Sequence, residues 1–142
     1  MVQKEMLDVF VEELNTIRSE LMTITNEQMK LKVMNKDLFA KYGQAIDRIY
    51  GTAMTLGFSD LGKYCKAMKD VCYMCSQYNH EVGQKKVLRM MIECNDVLAK
   101  IPECIYKTEE FKKYSRIFLV EMTKAERLGK AEFSSITRKS CA

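Results

Sequence analysis

The chain has one proline and one histidine in 142 residues, and no apolar stretch approaching the length of a membrane span. Each shortage excludes something. With a single proline, long segments rich in Leu, Met, Lys, Glu and Ala run without a breaker, and strand signals are scarce, so the pattern predicts an all-α protein. A lone imidazole, His80, leaves little scope for histidine-based metal ligation or acid–base chemistry, and it lies in a polar segment with no identifiable carboxylate partner. The opening Met-Val-Gln-Lys-Glu-Met lacks the basic stretch and apolar run of a signal peptide, which leads us to expect a cytoplasmic protein with neither membrane span nor membrane partner. In that reducing setting the six cysteines read as free thiols rather than a disulfide framework.

Charge is unevenly placed. Residues 1–106 hold 14 basic and 14 acidic side chains, while residues 107–142 hold nine basic and five acidic, so the whole net charge of +4 falls in the last quarter. Acidic residues interrupt the basic ones throughout, which argues against a nucleic-acid partner.

Five helices follow from the apolar periodicity. The first spans residues 3 to about 33, with Met6, Phe10, Ile17, Leu21, Ile24 and Leu31 on one face. Asn35 caps a second helix whose stripe is Tyr42, Ala45, Ile46, Ile49, Ala53 and Leu56, and Gly57 ends it in a left-handed conformation. Ser59 is the expected cap of a third, with Leu61, Cys65, Met68, Cys72 and Cys75 inward. Residues 76–84 read as a loop. The fourth carries Val87, Met91, Cys94, Leu98 and Ile101, with a boundary at Pro102. Thr108 opens a fifth, with Phe111, Tyr114, Phe118, Met122, Ala125 and Leu128 on one face and Gly129 at its end. The expected architecture is an antiparallel up-down four-helix bundle with an additional C-terminal helix. A single domain would occupy residues 1–130, followed by a basic tail over 131–142.

The segment Ile46 to Gly57 carries the functional signal. At 100° per residue Asp47 points away from the apolar stripe, and Ala40, Gly43, Gly51 and Met54 share its outer face. Glycines at 43 and 51 each cost a helix interior about 1 kcal/mol relative to alanine, which suggests that something approaches this backbone closely.

These residues resemble the signature helix of the histidine-containing phosphotransfer (HPt) domain of phosphorelays. Arg48-Ile49, Gly51-Thr52-Ala53, Leu56-Gly57 and Leu61 match it. Two positions depart: Asp47 stands where the family has its phosphorylated histidine, and Tyr50 where it has a lysine. A carboxylate there would give a labile acyl phosphate, and Tyr50 removes a positive charge from the incoming phosphoryl group. The resemblance therefore implies a bundle that is not an enzyme, needs no cofactor, and docks a receiver domain or other signalling protein. Its expected contact residues are Gly43, Asp47, Tyr50, Gly51 and Met54, with Lys63 and Lys66 as rim charges. Two alternatives remain open. One is a bundle that self-associates, as a homodimer, through the same small-residue face. The other is a metal- or redox-responsive protein using Cys65, Cys72 and Cys75, with His80.

Overall fold

The computed structural model describes residues 2–141, with side chains described as far as residue 134. Six helices follow one another: α1 (Lys4–Lys30), α2 (Lys36–Thr55), α3 (Ser59–Gln77), α4 (Glu81–Ala99), the single-turn α5 (Ile101–Cys104) and α6 (Thr108–Cys141). Among the described residues there is no strand, and no helix is long and apolar enough to cross a membrane.

Local chemistry sets most boundaries. Asn35 accepts a hydrogen bond from the Asp37 amide at 2.8 Å, and Gly57 has φ 85°, a region that glycine enters without steric cost. Phe58, not Ser59, occupies the N-cap position of α3, and its side chain makes no capping bond. Most of the segment expected as a loop over 76–84 is helical, leaving only Tyr78, Asn79 and His80 between α3 and α4. The tight connection is held by Gln84, whose amide donates to the carbonyls of Cys75 (3.3 Å) and Tyr78 (3.2 Å) that the end of α3 leaves unbonded. Gln28 serves the α1–α2 connection similarly, exchanging two 2.9 Å bonds with the Asn35 backbone.

Side-chain contacts fix the helix directions. Glu13 meets Thr52 and Glu20 meets Arg48, so α1 and α2 run antiparallel. Asp47 meets Lys69, and Met54 lies over Gly62, so α2 and α3 do too. The pairs Phe58–Phe111, Tyr64–Phe118 and Val71–Gly129 advance together, making α3 and α6 parallel. Tyr114 bonds the Val97 carbonyl and Phe133 covers Gly83, so α6 is antiparallel to α4. Helix α6 thus sits between α3 and α4 as a wall of the core rather than an addition to it.

The expected end at Gly129 is overturned. Helix α6 continues to Cys141, and the boundary drawn at residue 130 falls inside it. Gly129 is instead a packing residue, since an added Cβ would lie 3.3 Å from Val71 Cγ1 and 3.4 Å from Met74 Sδ. Phe133, expected in a polar tail, is fully buried; the side chains of Arg138 and Lys139 lie outside the described residues.

The apolar stripes of α2, α3 and α4 enter the core as their spacing requires, except that Leu56 is only partly buried. On α1 the core face is Leu7, Phe10, Leu14, Ile17 and Leu21, whereas Met6 and Leu31 are exposed. One polar network crosses this interior. The Tyr42 hydroxyl lies 2.8 Å from Asn95 Oδ1 and 3.0 Å from the Met91 carbonyl, and the Asn95 amide donates to Thr25 Oγ1 at 3.1 Å. It ties α2, α4 and α1 together. Tyr42→Phe keeps the ring and removes the bridge; we expect a loss of about 1 kcal/mol in urea denaturation, with an unchanged m value.

Candidate partner-docking face

Helix α2 buries one side against α1 and α3 and leaves a ridge open. Asp47 is on that ridge, about half exposed, and its Oδ1 accepts a hydrogen bond from Lys69 Nζ at 2.9 Å. The bond raises the Lys69 ammonium pKa and locks its charge on. Pairs this exposed contribute little to stability, so the arrangement matters for the charge pattern it presents. Lys69 is not among the contact residues expected from the sequence. The signal was available: Asp47 stands ten residues before Gly57 and Lys69 twelve after it, which an antiparallel hairpin of helices brings level.

Tyr50 and Met54 continue the seam between α2 and α3. The Met54 thioether covers Gly62, where any Cβ would overlap it, and the Tyr50 ring lies 3.8 Å from the same point. Tyr50 is half-buried and Met54 is 44% exposed, so both offer apolar surface beside the ion pair. Lys63 and Lys66 are exposed on α3.

The two glycines have opposite surroundings. Gly43 is not on the outer face but buried in the α2–α3 contact, where an added Cβ would lie 3.5 Å from both Cys72 Cβ and the Lys69 carbonyl oxygen. It lets the helices approach and is unavailable to a partner. Gly51 is exposed, with nothing within 4 Å of its missing Cβ. It borders a groove of about 500 Å³ between α1 and α2, lined by Glu13, Ile17, Arg48, Thr52 and Thr55. Asp47, Tyr50, Gly51 and Met54 therefore share one open side of α2, joined by Lys69 and without Gly43.

The cysteines of the metal or redox alternative lie inside the bundle. Cys65, Cys72, Cys75 and Cys94 are buried, and loss of solvent pushes their thiols up, Cys94 to about 11. Among the described residues no group of three or more His, Cys, Asp or Glu side chains is placed to hold a metal ion. His80 has a carboxylate partner distant in sequence: its Nε2 lies 3.0 Å from Glu132 Oε2, and its ring meets Phe133 edge-on at 5.5 Å.

The chain matches no family model, no curated protein and no solved structure.

Proposed function

We propose that this protein is a non-catalytic signalling adaptor, an HPt-like helical bundle without the phosphoacceptor histidine in which α6 completes the wall between α3 and α4. It docks a partner, a receiver domain, through the α2 face around Asp47. The observation that carries the reading is the open ridge itself: the segment resembling the HPt signature presents Asp47, Gly51 and Met54 outward, with unfilled space above Gly51. An approaching surface can reach the α2 backbone there. Tyr50 and Met54 supply contact area, and the Asp47–Lys69 pair presents a nearly neutral, oriented polar patch. Phosphotransfer is not assigned to Asp47, because an acyl phosphate on a half-exposed ridge stands open to hydrolysis.

Gly51→Arg tests the reading. The space at Gly51 and its exposed helical position mean that the fold is kept, which circular dichroism and melting check. Wild-type bait should retain a receiver-domain protein from native lysate, and the purified pair should bind. The Gly51→Arg protein should lose at least tenfold in affinity for that same domain. If both proteins retain the same partners with equal affinity, the α2 ridge is not a docking face.

A further inference from the structure

The net charge of the chain falls in residues 107–142, nearly all of which form α6; apart from Arg138 and Lys139, whose side chains lie outside the described residues, its cations can be placed. The acids of α6 are largely spent. Glu109 and Glu110 pair with Lys112 and Lys107, Glu121 is buried against Lys124, and Glu132 is shared by His80 and Lys86. Among the described residues Glu126 alone of these acids is exposed without an ion pair. Lys113, Arg116, Arg127 and Lys130 are exposed and form no ion pair among the described residues. At 100° and 1.5 Å per residue they occupy an arc of about 100° over about 26 Å, on the side opposite the buried Phe111, Phe118 and Ala125. Two apolar side chains accompany them, Val120 (56% exposed) in mid-stripe and Ile117 (39%) at its edge.

We infer that this outer stripe of α6 is a docking face for an anionic phospholipid surface. Charge complementarity requires an anionic partner, and its other features select among partners. The helix's described aromatic side chains, Phe111, Tyr114, Phe118 and Phe133, all engage the core, so the stripe has no ring on which a base could stack. Val120 and Ile117 match the boundary between headgroups and acyl chains better than a phosphodiester backbone. The clefts at the α1–α2 seam and at the end near Phe58 and Phe111 are not lined by the four cations. An exposed helical stripe suits a flat sheet of headgroups. Binding would be peripheral, weak and steeply dependent on salt.

Co-sedimentation with vesicles tests the inference: phosphatidylcholine alone against phosphatidylcholine and phosphatidylglycerol in a two-to-one ratio, at low and high salt. The full chain should sediment with the anionic vesicles only, and high salt should release it. Each cation removed should weaken partitioning about fivefold, and the combined Lys113→Gln, Arg116→Gln, Arg127→Gln, Lys130→Gln variant by more than a hundredfold. Glutamine is a good helix former and all four sites are exposed, so helicity should survive. Gly51→Arg should sediment as wild type does, which separates this face from the α2 ridge. Absence of sedimentation with anionic vesicles overturns the inference, as does undiminished sedimentation of the quadruple variant. Retention on heparin or RNA without partitioning into vesicles overturns it too, assigning the stripe to a soluble polyanion.

Discussion

Phe118→Ala is expected to lower the unfolding free energy by about 3–5 kcal/mol, as truncation of a buried phenylalanine does. Phe118 is fully buried and joins three other rings: Tyr64 stacks on it at 6.2 Å, while Phe111 (5.9 Å) and Tyr114 (5.4 Å) meet it edge-on. These rings come from α3 and α6, so their removal opens the seam that makes α6 a wall of the bundle. Domains of this size have about 5–15 kcal/mol in total, and the loss would be a large fraction of it. Equilibrium denaturation in urea gives the answer. A cost below about 1 kcal/mol would mean that α6 is an appendage rather than a wall, and that α1–α4 stand alone.

Phe133→Ala is the second large effect, again about 3–5 kcal/mol if the whole helix responds cooperatively. Phe133 is the last fully buried side chain described on α6, and it is fitted closely to α4. A Cβ on Gly83 would lie 2.7 Å from the Phe133 ring and 2.6 Å from His80 Cδ2, so Gly83→Ala should also destabilise by forcing the rings apart. Amide exchange should report both changes as faster opening of residues 125–134. The polar half of this contact depends on pH. Hydrogen bonds from Lys86 and then His80 hold the Glu132 carboxyl below its usual range. A depressed carboxyl pKa stabilises the fold above the unfolded value, about 4.3 for glutamate, and that contribution is lost as pH falls through the folded value. The melting-temperature gap between wild type and Glu132→Gln should therefore be present at neutral pH and close in acid. A gap that stays constant with pH would show that Glu132 acts through shape alone.

Much of the fold was legible in the sequence because α2, α3 and α4 have periodic apolar faces, although α3 also buries Tyr64, Ala67 and Val71 and α4 also buries Leu88 and Met90. On α1 the phase slipped, since Met6 and Leu31 are as apolar as Leu7 and Leu14 and only the neighbouring helices decide between them. Gly129 was misread because glycine marks both helix ends and close helix contacts, and a linear pattern does not separate the two uses. The same ambiguity put Gly43 on the outer face. It lies only about 40° round the helix from Asp47, yet α3 covers that edge of α2 and leaves Gly51 bare. The partner of His80 lies fifty-two residues away on a helix that was expected to have ended, so no local signal could have found it.

The parallel course of α3 and α6 has a consequence for how the chain acquires its structure. Helices α1, α2 and α3 meet through short connections, and their pairing closes quickly. Tyr64 finds its stacking partner only after fifty-four further residues have been made, and the α3 surface at Ala67 and Val71 waits as long for its cover. Contacts of that sequence separation are slow to form, so docking of α6 on α3, like that of α4 on α1 through Asn95 and Thr25, should come late in folding. On the ribosome, the interval before it is when this protein is most open to misassociation and most in need of a chaperone.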